Sequence, residues 1–258
     1  MPETSEEEAI GRRRQPIPTA ESQRAARLLL PLLPAVMVAI LMTGLIGERP
    51  GAYLAFLIVL IAPGWLVWSI LPAGVLDWNE LFALPAMWLV LSFTVLSPVV
   101  AGLVYFGWSV HVVEWYLLVA LVGLGFAAMR RGQRAVGPWD SGMVWVLVVT
   151  AAAFLYRNAI WRVGTDDHTY VAYLRAFMAT GSYPTTNPFM SGDIPLPPRW
   201  RLDSWTGLTG VLAHLGHLDV EVFFREVLPA LMVIGAASAL FILAWVLSGS
   251  RSFAQLAG

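Results

Sequence analysis

The chain has 258 residues, of which 58% are hydrophobic and only 13% charged, with a mean hydropathy of +0.68; an average soluble domain is roughly 25% charged. A formal charge of -1 gives no bulk attraction for nucleic acid. The absence of Cys excludes both a disulfide frame and a thiolate metal site.

The composition points to an all-α, polytopic membrane protein. Residues 1–27 are polar, rich in Glu and Arg and broken by Pro16 and Pro18, so they read as a disordered tail. Both this lead and the apolar run after it are too long for a cleaved secretory signal. Six apolar runs follow, at Leu28–Ile46, Ala52–Leu71, Leu81–Phe106, Val113–Met129, Met143–Trp161 and Val222–Leu247, each near the roughly 20 residues that cross the hydrocarbon. The fourth is the shortest. The expected organisation is therefore the tail, a four-helix membrane region over 28–131, and a unit over 142–258 in which two further helices flank one long loop.

Orientation follows from the arginines, which supply all of the basic residues. Arg12, Arg13, Arg14, Arg24 and Arg27 precede the first run, Arg130, Arg131 and Arg134 follow the fourth, and Arg251 follows the sixth. An N-terminus in the cytoplasm of a bacterial-type plasma membrane places all of these inside, as the positive-inside rule prefers, and puts the loop 162–221 outside the cytoplasm. Trp65, Trp68, Trp108, Trp139 and Trp161 fall near run ends, where an interfacial aromatic belt belongs. Ionisable groups inside the runs are few, among them Glu114 near the start of the fourth, and Arg225 and Glu226 at the start of the sixth. None lies at mid-membrane, where proton and ion pathways usually keep one.

In the long loop, Thr165 or Asp166 caps an expected helix running to Ala179, with Gly181 as its stop. Its apolar face is Tyr170, Leu174 and Phe177, or Val171, Leu174 and Met178. A second helix is expected from Asp203 or Ser204 to Gly216, with Trp205, Leu208, Leu212 and Leu215 as its stripe. Both read as amphipathic surface helices. Between them, the prolines from Pro184 to Pro198 forbid a helix and leave a loop able to fold over the outer mouth. Asp219 is positioned to cap the sixth run.

Chemistry concentrates in Gly164–Tyr170. Asp166 and Asp167, as successive helical residues, point roughly 100° apart. They are suited to separate roles: one carboxylate at a reaction centre, the other capping. Both could simply cap the helix, or bind a metal with His168. His168 and Tyr170 either line one pocket, or part company with Tyr170 packed on the membrane side and His168 solvated. Arg175, Arg199 and Arg201 are donors suited to phosphate, or else sit among lipid headgroups. His214 and His217 have a metal-like spacing that Gly216 interrupts, and Arg225 stands four residues after Glu221, where a local ion pair forms by default.

An apolar helix, an acidic pair, Tyr-x-x-Tyr-Leu-Arg (Tyr170 to Arg175), Gly-x-Tyr-Pro (Gly181 to Pro184), Pro-Pro-Arg-Trp (Pro197 to Trp200) and a new helix near Val222 occur in that order. From Met143 onward this order resembles the first luminal loop of GT-C type membrane glycosyltransferases, which use polyprenyl-phosphate-linked sugars. The resemblance implies that Asp166 or Asp167 is the catalytic base. Its implied partners are membrane lipid and a polyprenyl-phosphate sugar donor, and Arg side chains or a divalent metal ion would stabilise the departing phosphate. Family members carry this loop after their first membrane helix and continue through several more. Here four further helices precede the one that leads into the loop and one follows it, so a fragment or a reduced relative is expected. The competing readings are a non-catalytic scaffold or assembly subunit, and a transporter or flippase for a lipid-linked substrate.

Overall fold

Helix is the only regular element in the parts of the chain that the computed structural model describes, residues 29–72, 84–131, 165–190, 194–196 and 204–249. Two isolated bridges, Ser109 with Ser182 and Thr186 with Pro195, are the extended pairings among the described residues. The tail 1–27 and the expected fifth run, Met143–Trp161, lie outside them.

Helix α1 is Leu33–Met42, entered through a single 3-10 turn at Leu30–Leu32 that carries Pro31. It stops well before Ile46. The backbone N–H and hydroxyl of Thr43 both donate to the Ile40 carbonyl, and Gly44 turns the chain at φ 70°. The apolar stretch Leu30–Met42 is too short for a span by itself.

Three helices are long and apolar enough to cross a membrane: α2 (Glu48–Ile70), α3 (Leu84–Phe106) and α4 (Val110–Arg131). Proline shapes them. In α2, Pro63 has no N–H to donate and its ring crowds the preceding turn; the helix widens to a π-turn over Leu57–Ile61, just ahead of it. The freed Gly64 N–H donates 2.8 Å to the buried Ser92 hydroxyl of α3. Gly64 is also where α2 and α3 approach most closely, since a Cβ there would stand 1.8 Å from the Trp88 carbonyl oxygen. In α3, Pro98 deprives the Thr94 carbonyl of its helical donor, and the Ser97 hydroxyl supplies one at 3.2 Å. Tyr116 of α4 donates to the Val95 carbonyl of α3 at 2.9 Å. Outward, α4 presents Val112, Trp115, Val119 and Phe126, all exposed and spaced by three, four and seven residues. This is the stripe a lipid-facing helix shows.

After the long loop, α5 is Thr165–Thr180 and α6 is Ser204–Leu215. A single turn, Val220–Val222, capped by the Asp219 carboxylate on the Glu221 and Val222 N–H groups, leads through a π-turn at Phe223–Val227 into α7, Leu228–Ser248. That second π-turn again stands directly before a proline, Pro229. Ser238 of α7 accepts from the Ala86 N–H of α3 at 3.2 Å.

Contacts sort the bundle into two ends. Arg131 donates to the Ile70 carbonyl, so α2 and α4 finish together. At the opposite end stand the finish of α1, the start of α2, the α3–α4 turn, and both loop helices. There the Val110 N–H donates to the Gly181 carbonyl at 2.7 Å, His217 bonds the Leu41 carbonyl at 2.8 Å, and Gly216 lies against Ala52.

The two loop helices differ from the expected surface pair. In α5 the buried face is Val171, Tyr173, Leu174 and Phe177, with Tyr170 and Met178 half-buried beside it, and Gly181 (φ 66°) ends the helix as expected. Helix α6 has no free polar face: every residue from Thr206 to Ala213 is buried. Its expected stripe packs inward, with Leu208, Leu212 and Leu215 fully buried and Trp205 half-buried. The opposite side, built from Gly207 and Gly210, is narrow enough for Leu103, Val104 and Phe177 to close over it. Small residues on the second face convert a surface helix into a core one.

Candidate functional site

The first half of α5 lines a cleft of about 660 Å³, walled by His168, Val171, Ala172, Arg175, Phe189 and Glu221. Three elements make it. Helix α5 supplies His168 and Arg175 at a seven-residue spacing, which places both on one face. The returning loop supplies Phe189, held edge-on against the buried Tyr173 at 6.0 Å. That loop is tied across itself by the Asn187 N–H to the Ile194 carbonyl and the Leu196 N–H to the Thr185 carbonyl, each 2.9 Å. The turn Val220–Val222 supplies Glu221.

Charge at the cleft is organised by Glu221. One of its carboxylate oxygens accepts from Arg175 at 2.8 Å and the other from Arg225 at 2.9 Å. The Arg225 pair is the local ion pair expected from the four-residue spacing. Both guanidiniums are partly exposed, so Arg175, which lines the cleft, can still offer donors to an anion.

Of the residues singled out in the sequence, His168 and Arg175 come together in this cleft. Tyr170 turns the other way and stacks on Phe224, with centroids 6.3 Å apart and an interplanar angle of 15°. Asp166 and Asp167 fall in the first turn of α5, immediately ahead of His168; their side chains lie outside the described residues, as do Arg199 and Arg201. No group of three His, Asp or Glu side chains suited to a metal ion occurs among the described residues. The donors that line the cleft are His168 and Glu221, and Glu221 is already held by two guanidiniums. The described lining thus fits an anion better than a cation.

A second polar centre was not assembled from the sequence. Glu114, in the second turn of α4, is 3% exposed. Its Oε2 accepts from His111 Nδ1 at 2.9 Å and its Oε1 from His214 Nδ1 at 2.8 Å. His217 is not a co-ligand of His214: its φ of 50° turns it toward the Leu41 carbonyl, with the two rings 6.5 Å apart. The signal available in sequence was an isolated acid inside an apolar run with a His three residues before it; the third member is 100 residues away.

Comparison with family models, with curated proteins and with solved structures finds no match to this chain.

Proposed function

We propose that this chain is a membrane glycosyltransferase, or part of one, that moves a sugar from a polyprenyl-phosphate donor to an acceptor on the extracytoplasmic side. The proposal includes the six-span arrangement with a cytoplasmic N-terminus. The observation that carries it is the cleft beside α5, on the helix whose first turn holds Asp166 and Asp167, lined by His168 and by Arg175, whose guanidinium is held at its edge by Glu221.

The chemistry suits such a cleft. A sugar on a polyprenyl phosphate already has a good leaving group, so the second carboxylic acid needed by a glycosidase is dispensable. One carboxylate, Asp166 or Asp167, takes the proton of the acceptor hydroxyl as that oxygen bonds to the anomeric carbon, and the bond to the phosphate breaks. Arg175 meets the charge that develops on the departing phosphate. A divalent ion would supply the same charge stabilisation if it were held by the acidic pair.

The test is transfer of radiolabelled sugar from a polyprenyl-phosphate donor in membranes. Asp166→Asn or Asp167→Asn should lower transfer by about 10²–10⁴-fold, the usual contribution of a general base, with membrane insertion unchanged. Wild-type rates in both single variants would remove the carboxylate from the mechanism. An absence of transfer by the parent protein from any such donor would leave the scaffold reading in place.

A further inference from the structure

Glu114 and its two histidines lie apart from the cleft and owe nothing to the glycosyl-transfer reading. They adjoin the Val110–Gly181 contact at the C-terminal end of α5, whereas the acidic pair stands at its N-terminal end; at 1.5 Å per residue the helix separates the two by about 20 Å. The arrangement fixes which nitrogen carries each proton. An ionised carboxylate has none to give, so both His111 and His214 donate Nδ1–H, one to each oxygen, and in the neutral rings the lone pair stands on Nε2. Neither Nε2 has a hydrogen-bond partner among the described residues. The His111 side chain is 70% exposed and that of His214 24%, against 4% for Glu114. The rings meet edge-on at 5.6 Å. The outer imidazole is therefore open at the surface of the bundle, the second ring lies behind it, and a buried anion holds both.

The surroundings restrict where a proton can go. Of the elements packed on α4, α1, the Ala62–Ile70 part of α2 and α3 contain no Asp, Glu, Lys, Arg or His. Helix α6 contributes His214, and His217 follows it with its own ring occupied at Leu41. Tyr105 of α3 and Tyr116 of α4 complete the titratable set, and Tyr116 is bonded to Val95. Along α4 the next ionisable side chains of these kinds after Glu114 are Arg130 and Arg131, at the far end. Among the described residues, no chain of titratable groups leads from Glu114 across the bundle.

We infer that Glu114, His111 and His214 form a proton-binding site at the loop end of the bundle. A hydronium ion gives its proton to an imidazole Nε2: one O–H bond breaks, one N–H bond forms, water departs, and the imidazolium charge is met by Glu114. The second imidazole then faces a pair already neutralised and a like charge one ring away, so proton uptake belongs to the cluster rather than to either residue. Intramembrane carboxylates paired with His commonly mark proton handling. With no onward group among the described residues, the cluster holds a proton rather than passing it along, and His214 ties that uptake to the seating of α6 on α4.

The experiment is nitrogen NMR of the four imidazoles in the full chain, held in lipid nanodiscs and titrated from about pH 8 to about pH 5, the range in which imidazole changes charge. At the alkaline end His111 and His214 should both be protonated on Nδ1 and bare on Nε2. On acidification they should take protons in two coupled steps. In Glu114→Gln the amide offers one acceptor oxygen, so one of the two rings should switch to the Nε2–H tautomer and the paired steps should disappear. His111→Gln, a change at an exposed side chain, should leave His214 with a single step. Nε2–H tautomers in the parent, or the same titration in parent and Glu114→Gln, would overturn the proposal.

Discussion

Arg175 shows how a residue can matter to a ligand and hardly at all to the fold. Its bond to Glu221 is short, but its side chain is 57% exposed and that of its partner 36%. Pairs of that exposure contribute about 0–1 kcal/mol, and Glu221 would retain Arg225. Arg175→Ala should therefore leave thermal unfolding in detergent nearly unchanged. If Arg175 meets the donor's phosphate, the same change should raise KM for the lipid-linked donor about 10-fold, the loss of one charge-assisted contact. An unchanged KM, with stability also unchanged, would place the phosphate elsewhere. The sequence was informative about this residue because its helix and its partner's cap were both local signals. It marked Glu114 as an ionisable group inside an apolar run but not the cluster that holds it. The pairing with His111 is local, but the burial of the carboxylate depends on His214, brought in by the docking of α6.

At the scale of the element, the long apolar helices were legible because period, length and hydropathy agree, while their interiors were not. The π-turns ahead of Pro63 and Pro229 follow from proline's missing donor, yet a pattern of apolar residues does not say whether a proline ends a helix, kinks it or widens it. Helix α6 is the instructive failure. Leu208, Leu212 and Leu215 announce one buried face, and Gly207 and Gly210 look like weak points of a surface helix; they are the face on which a second layer packs. The same logic makes Gly64 the tightest element contact to test. A methyl group there meets the Trp88 backbone carbonyl, which no rotamer change can move. Separating α2 from α3 would also stretch the Gly64–Ser92 hydrogen bond. Gly64→Ala should cost about 3 kcal/mol, the upper part of the range for overpacking, read as a fall in the unfolding midpoint in detergent. A neutral outcome would mean that the two helices are less rigidly seated than this contact requires.

For the whole molecule, the decisive quantity is which face of the membrane carries the loop end of the bundle, because both the cleft and the proton-binding site stand there. Three observations place the two loop helices, the start of α4 and the start of α2 at that one end: the Val110–Gly181 bond, the His214–Glu114 pair and the Gly216–Ala52 contact. The arginines of the tail and those after α4 argue that this end is the outer one, since a positive-inside arrangement keeps both groups of charge in the cytoplasm. The chain offers an unusually clean way to test it, because it contains no Cys to label in the background. Ser5→Cys would place one thiol in the tail, and Ala179→Cys one on the exposed last turn of α5. A membrane-impermeant maleimide added to intact cells should label Ala179→Cys and reach Ser5→Cys only after permeabilisation. The reverse pattern would put the cleft in the cytoplasm, away from an extracytoplasmic acceptor. It would also turn the His111 ring toward a compartment whose acidity is buffered, so both proposals would lose their setting in one measurement.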